Sequence, residues 1–400
     1  MLGARAGKIE TIAVTASELA VADTRPRLRY HPALDGLRAI AVTLVVLFHA
    51  GATSRLPGLV PGGFIGVSVF FTISGYLVTT LLLREGALDG RTGRIDFGRF
   101  WARRVKRLWP ASLAVVAVVV LLSSWAWSGM IASDAVAGVY GYTNWYVIWS
   151  GADELLRTIV GPLGPFWSLA IEEQFYVLLT ITVLLCWRTR RPLRWLAAAV
   201  VAGWFGSLAA QLLISGPQYR LEFGTDTRGG EILAGCGLAI LLHQRPELLD
   251  RWRRWSAPAG TIALAVIMLI ALTNDYDPPW LLRGGYSALS LVSAVLIVSL
   301  LVPNRVTTAL GWRPLVTIGV ASYSVYLVHW PVIMILTPER VGTDGWTLVA
   351  VKVAVAALVA AVLHVVVEQP VRRLVVPNRS VAVCWLAATV AVSGLAILVL

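Results

Sequence analysis

The sequence predicts an all-α, polytopic membrane protein, a bundle of about ten helical spans with one further span at its C-terminal end. Three observations lead there. Hydrophobic residues fill 57% of the 400 positions and charged residues 14%, against about 25% charged in soluble domains; mean hydropathy is +0.73. Long apolar runs recur along the chain, each long enough to cross a hydrocarbon core as a helix. With the N-terminus placed in the cytoplasm, inner segments hold 26 Lys and Arg and outer segments 6, with Arg38 and Lys352 inside spans, the asymmetry of the positive-inside rule. The net charge of +12 thus belongs to topology and anionic membrane lipid, and no nucleic acid partner is expected.

Spans are expected near residues 33–52, 64–83, 108–127, 166–187, 196–214, 229–243, 258–273, 285–302, 315–336, 346–367 and 380–400, with 136–150 an amphipathic or re-entrant piece. Residues 1–30 are mixed polar, lack the apolar core of a cleavable signal peptide, and read as a cytoplasmic tail. The first span carries Asp35 and Arg38 at one end and His49 at the other, with Arg38 and His49 roughly 16 Å apart along a helix. Ionisable groups inside a span cost about 2.5–3.5 kcal/mol each on insertion scales and so mark function. Taken alone, the pattern also fits an arginine snorkelling to headgroups and a neutral histidine at the opposite interface. The second span opens G-G-F-I-G-V-S-V-F-F-T-I-S-G-Y-L (62–77). Its glycines allow close helix approach, and Ser68, Thr72 and Ser74 can bond across helices. A short link sets this face beside His49.

The basic segment from Arg84 ends R-R-V-K-R-L-W-P (103–110). Arg104 and Arg107, three apart, share a helix face before the third span. Two guanidinium groups there suit a polyphosphate or an anionic headgroup, and an ordinary membrane anchor equally. Pro110 falls near the expected start of that helix, where its missing N–H costs little. In F-W-S-L-A-I-E-E-Q-F-Y (166–176) two carboxylates lead into a long apolar run. Ser168 and Glu172 share a face, and Glu173 points about 100° away. A solvated helix start would account for both acids. Glu172, however, lies a full turn inside, beside Trp167 and Phe175, where an acid needs a cationic or imidazole partner. His49, on the same side, is the expected one. F-G-T-D-T-R (223–228) is a polar outer loop whose Asp226 and Arg228 either cap a helix or face a substrate. His243–Trp255 reads as a basic surface helix. The ninth span places Tyr323, Tyr326 and His329 in an apolar helix, as a cavity lining would. Cys186, Cys236 and Cys384 lie far apart in apolar segments, so they are packing residues and no metal site is expected. Arg outnumbers Lys 31 to 3, which points to a GC-rich bacterial genome.

Seven motifs in register resemble the integral-membrane acyltransferase-3 family of bacterial glycan O-acyltransferases, over about residues 31 to 375. They are L-D-G-L-R-A-I-A-V (34–42) with His49, the glycine-rich 62–77 stretch, R-R-V-K-R-L-W-P (103–110), W-S-L-A-I-E-E-Q-F-Y (167–176), F-G-T-D-T-R (223–228), S-Y-S-V-Y-L-V-H-W-P (322–331) and V-E-Q-P (367–370). The family's Arg-x10-His falls on Arg38 and His49, its Arg-x-x-Arg on Arg104 and Arg107, and its W-S-L-x-x-E acid on Glu172. One departure is visible: the family commonly has an acid where this chain has Ser68.

The resemblance implies a bacterial cell-membrane protein, N-terminus cytoplasmic and C-terminus extracytoplasmic. It implies transfer of an acyl group, often acetyl, from cytoplasmic acyl-CoA to a hydroxyl of an extracytoplasmic glycan or lipid-linked sugar. Acyl-CoA (acetyl-CoA) would be a co-substrate, with no cofactor bound permanently. On this reading Arg38, Arg104 and Arg107 hold CoA phosphates, neutral His49 is the general base, and Glu172 orients its imidazole. Asp35, Ser74, Glu173, Tyr176, Asp226, Arg228, Tyr323, Tyr326 and His329 are candidates to line the substrate path. A covalent acyl-histidine or acyl-tyrosine relay is compatible with the same residues. The main alternative is a transporter or flippase for a lipid-linked sugar or acyl donor; a lipid-binding scaffold is a third reading. In this family a further span often leads into an extracytoplasmic SGNH-type esterase domain. Residues 376–400 read as such a span or as a plain anchor.

Overall fold

The computed structural model describes residues 30–87, 96–127, 129–151, 161–276 and 278–400. The expected tail, up to residue 29, and the middle of the basic segment, 88–95, lie outside the described residues. Regular structure among the described residues is helical throughout, as burial in lipid requires of a backbone that must bond to itself. Fourteen helices organise it: α1 Pro32–Ala52, α2 Gly66–Ala87, α3 Phe97–Ala126, α4 Ala132–Val139, α5 Thr143–Ser150, α6 Phe166–Trp187, α7 Pro192–Leu213, α8 Thr225–Gln244, α9 Leu248–Thr273, α10 Tyr286–Leu300, α11 Arg313–Val320, α12 Ser322–Ile335, α13 Gly345–Leu363 and α14 Asn378–Val399. Among the described residues nine helices are long and apolar enough to cross a membrane, or ten if α11 and α12 count as one bent span. Helix α8 is not among them, because Asp226, Arg228 and Glu231 occupy its first two turns.

Three boundaries differ from expectation. Helix α3 begins at Phe97, where the Asp96 side chain accepts from Arg99 N–H at 2.9 Å. This cap leaves Pro110 inside the helix, so the Lys106 carbonyl lacks its usual donor. The basic stretch after His243 does not form a separate surface helix: α9 runs unbroken from Leu248 to Thr273. The ninth span is broken at Ala321, and α11 and α12 meet at a bend of 68°. The re-entrant piece is two short helices, α4 and α5, parted by Gly141, whose φ of 65° suits glycine.

Glycine contacts hold the centre. A Cβ on Gly75 of α2 would lie 1.9 Å from the Ile232 carbonyl oxygen of α8, and one on Gly235 of α8 would lie 2.0 Å from the Thr72 carbonyl oxygen of α2. The same reciprocity joins α1 to its neighbours: Gly36 faces the Leu310 carbonyl and Gly319 the Asp35 carbonyl, each at 1.8 Å from a built Cβ. Without a hydrophobic drive between helices in lipid, such backbone-to-backbone packing is what holds them together. Gly75→Ala is therefore expected to cost about 1–3 kcal/mol by overpacking and to lower the thermal midpoint of the detergent-solubilised protein. Gly394→Ala, with open space around the added methyl, should leave it unchanged or higher. Equal midpoints for the two variants would contradict the crossing.

Candidate active site

Helix α1 places Arg38 near its start and His49 near its end, and each faces a different cavity. The arginine cavity, about 90 Å³, gathers Arg38, Arg104, Arg107, Glu172, Tyr176 and Tyr323. Ser74 and Tyr326 also line it. Arg38 pairs with Asp35 at 3.1 Å, one turn away on its own helix. Arg104, 9% exposed, lays its guanidinium 4.0 Å over the Tyr176 ring; its Nε has no hydrogen-bond acceptor among the described residues. Glu172 accepts from the Ser74 hydroxyl and the Tyr176 hydroxyl. A carboxylate beside three guanidinium groups offsets part of their charge in a low-dielectric setting. A second opening of about 270 Å³ adds Arg103, Lys106 and Arg372 to Arg104 and Arg107, so five cations converge at this end.

The histidine cavity, about 70 Å³, is bounded by His49, Trp167, Glu222, Arg228, Tyr276 and Trp330 among others. His49 packs against the Trp330 and Phe48 rings, with centroids 4.7 and 5.0 Å away. Its Nδ1 lies 3.1 Å from His329 Nε2, and His329 Nδ1 lies 2.6 Å from the Tyr326 carbonyl oxygen. A carbonyl only accepts, so a proton sits on His329 Nδ1, and with both rings neutral its Nε2 accepts from His49 Nδ1–H. The free lone pair of His49 is therefore on Nε2. Here the expected pairing is corrected: Glu172 is turned to the arginine cavity, and the group that orients His49 is His329.

The two cavities share Val67 and Tyr326. The Tyr326 hydroxyl donates to the Pro165 carbonyl at 3.0 Å and lies 2.6 Å from Ser168 Oγ. Tyr323 is pinned through its hydroxyl to the Leu108 carbonyl at 2.7 Å. Arg228, 2% exposed, bonds Glu231 through Nε at 2.7 Å and sits 3.7 Å over the Tyr286 ring. Its Nη2 reaches Ser68 Oγ at 3.3 Å. At the position where the family commonly has an acid, Arg228 thus meets a hydroxyl, and Glu231 supplies the negative charge. Asp226 is held by two bonds from Arg220, at 2.9 and 2.7 Å, and borders an apolar groove with Trp145 and Phe175 instead. Glu173 packs against Gly141, where a built Cβ would sit 2.5 Å from its Oε2. Neither lines the two cavities, nor do the expected path residues Asp35 and His329. Gln174 of the same E-E-Q run anchors the re-entrant piece, bonding the Gly141 carbonyl and Asn144 Oδ1 at 2.9 Å each.

Two residues at the site carried no signal in the sequence beyond proximity to a motif. Glu222 directly precedes F-G-T-D-T-R, and Tyr276 sits in the loop after α9, outside any periodic pattern. Lys352, recognised only as a charge within a span, is fully buried. Its Nζ donates to the Thr53 carbonyl and Oγ1 at 2.8 Å each and to Ser54 Oγ at 2.9 Å, and Thr53 Oγ1 donates to the His49 carbonyl at 2.7 Å.

Residues 31–366 match the family profile described as an acyltransferase domain, of the acyltransferase-3 type. The chain belongs to that family. It is 32% identical over 359 residues to the "Putative peptidoglycan O-acetyltransferase YrhL" of Bacillus subtilis, covering 86% of this chain and 55% of that protein. It is 33% identical over 356 residues to "O-acetyltransferase OatA" of Staphylococcus aureus, covering 86% and 58%. Against "Peptidoglycan O-acetyltransferase OatA" of Listeria monocytogenes the identity is 31% over 365 residues, covering 88% and 57%. The chain thus spans a little over half the length of these relatives. No solved structure matches it.

Lys352→Met would strip three acceptors of their donor, at about 1–3 kcal/mol for each polar group left unsatisfied. The expected outcome is a lower thermal midpoint in detergent, read by loss of the monodisperse elution peak after heating. An unchanged midpoint would show that Lys352 does not hold the end of α1.

Proposed function

We propose that this chain is a membrane-embedded O-acyltransferase that moves an acyl group, acetyl in the first instance, from cytoplasmic acyl-CoA to a hydroxyl of an extracytoplasmic carbohydrate or glycolipid. The observation that carries this reading is the placement of two unlike sites back to back. One offers converging guanidinium groups, the other an imidazole with a directed lone pair, and Tyr326 stands between them. The names of the relatives, O-acetyltransferases, agree with it. With the basic segments inside, the arginine end faces the cytoplasm and His49 the exterior.

On this reading Arg103, Lys106 and Arg372 at the mouth, with Arg104 and Arg107 behind them, take the CoA phosphates through charge-assisted hydrogen bonds. Arg38 extends that charge inward, and Glu172 limits its repulsion. His49 Nε2 accepts the proton of the acceptor hydroxyl while the hydroxyl oxygen bonds to the acyl carbonyl carbon. The carbon–sulfur bond then breaks, and the departing thiolate takes the proton back from the imidazolium, returning His49 to its neutral form. His329 holds the ring through Nδ1 and shares the transient charge. It performs with an imidazole what a carboxylate does in a Ser-His-Asp triad.

Detergent-solubilised protein supplied with labelled acetyl-CoA and a glycan acceptor tests this. His49→Ala should lower transfer by 10²-fold or more, about the worth of a general base. Replacing both Arg104 and Arg107 with Ala should raise the acetyl-CoA KM at least about tenfold, by loss of charge-assisted bonds. His329→Ala should lower kcat without moving that KM. If His49→Ala transfers acetyl at the wild-type rate, the base assignment falls. If wild-type vesicles instead move a lipid-linked sugar between leaflets and form no ester, the transporter reading replaces this one.

A further inference from the structure

Helices α6, α7 and α8 enclose the apolar groove that Asp226 borders. Its volume is about 620 Å³, within the range of about 300–1,000 Å³ found for ligand sites. It runs from Thr225 to Leu233 of α8, about 12 Å along a helix, which is most of one leaflet's half of a hydrocarbon core about 30 Å thick. Val177 and Leu178 in its wall are exposed on the surface of a membrane span, so it opens sideways to hydrocarbon. Gly203 and Gly229 put no side chain on its floor. Polar groups in the wall are spent on partners within the protein. Gln174 Oε1 accepts from Thr225 Oγ1 at 2.6 Å and from Trp145 Nε1 at 3.2 Å. Ser207 Oγ donates to the Thr227 carbonyl at 3.0 Å and accepts from Gly230 N–H at 2.9 Å. Along its length the groove therefore offers carbon. Its rim differs. Asp226 and Arg220 pair there with side chains 41% and 21% exposed, and Arg220 gives the pair only two of its guanidinium N–H donors. That guanidinium lies 5.3 Å from the Trp145 ring, which stacks on Trp149, itself 74% exposed; exposed tryptophans at a span's end mark headgroup level. A cation and an anion at that level, above a carbon-lined slot, complement the phosphate and ammonium of a zwitterionic lipid.

We propose that this groove holds one acyl chain of a zwitterionic phospholipid of the bilayer, its phosphate on Arg220 and its ammonium on Asp226. A head with a phosphate and no ammonium gains only the Arg220 half of the rim. The groove shares no lining residue with the arginine cavity or the histidine cavity, so the lipid site stands apart from the transfer chemistry.

The test titrates the full chain in detergent with phosphatidylethanolamine or phosphatidylglycerol of identical chains and counts bound lipid by native mass spectrometry. Wild type should hold one phosphatidylethanolamine, with a Kd about tenfold below that for phosphatidylglycerol. Val177→Trp, which fills the groove from its open side, should weaken that binding about tenfold or more. Leu185→Trp, exposed on the same helix and outside the groove, should leave it within about twofold. Asp226→Asn keeps the shape, loses the charge, and should cut the preference for phosphatidylethanolamine about fivefold or more. Equal weakening by the two tryptophan variants, or weakening by neither, marks lipid held only as part of the surrounding annulus and overturns the proposal. Equal affinity for the two lipids overturns the headgroup assignment. Displacement of phosphatidylethanolamine by equimolar polyprenyl phosphate overturns the phospholipid as the occupant. Acetyl transfer is not read in any arm, so failure of the acyltransferase reading and failure of this proposal are told apart.

Discussion

The hydrogen bond from His49 Nδ1 to His329 Nε2 is the contact on which the site depends. It joins residues 280 apart in sequence, and it forms only because α1 lies against both halves of a broken span. The break at Ala321 turns α12 by 68° from α11, while Gly319 and Gly36 bring α11 and the preceding short helix Arg305–Leu310 onto the α1 backbone. Inside a membrane no water compensates a polar group left without a partner. An imidazole whose second nitrogen is fixed in this way keeps one tautomer and one direction, the preorganisation that the proposed general base would need.

The same constraint accounts for the rest of the interior. Three charged groups of the interior are answered within the protein: Arg228 by Glu231, Glu172 by two hydroxyls and its arginine neighbours, Lys352 by three oxygens. At the Arg104 end, Glu368 accepts from His364 at 2.8 Å, Ser324 at 2.8 Å and Arg372 at 3.2 Å, tying α12 to the turn that follows α13. These clusters sit where helices meet, so they fix register between spans that apolar side chains alone would leave free to slide.

Depth was legible in the sequence, and azimuth was not. Counting residues along α1 places Arg38 and His49 at opposite ends of a span, and the motif spacing places the arginine pair near Arg38 and Glu172 well inside a helix. Helical spacing says nothing about which neighbour a given face meets, so Glu172 was assigned to His49 when packing turns it to Ser74 and Tyr176. His329, expected to line a cavity, lies in neither lining and instead backs His49; that contact is decided by the bend at Ala321, which sequence periodicity does not show. The start of α3 is hidden for a related reason: an aspartate cap fourteen residues before Pro110 leaves no mark in hydropathy beside the apolar run behind it. Glu222 and Tyr276 lie on a short helix and a loop, where no periodicity exists to read.

Tyr326 borders both recesses, and on the two-sided reading proposed above that has an electrical consequence. A potential of 100 mV across a bilayer is worth about 2.3 kcal/mol for each elementary charge that crosses, so a continuous polar path from Arg104 to His49 would short-circuit the membrane. The Tyr326 hydroxyl is engaged by Ser168 and the Pro165 carbonyl, and the ring fills the partition with apolar surface. On the proposed reading this wall acts as a dielectric partition: its hydroxyls are tied to fixed partners, and a neutral acyl arm passes it at less cost than a bare charge would. On the same reading, recesses that open to opposite faces can leave the bilayer between them insulated.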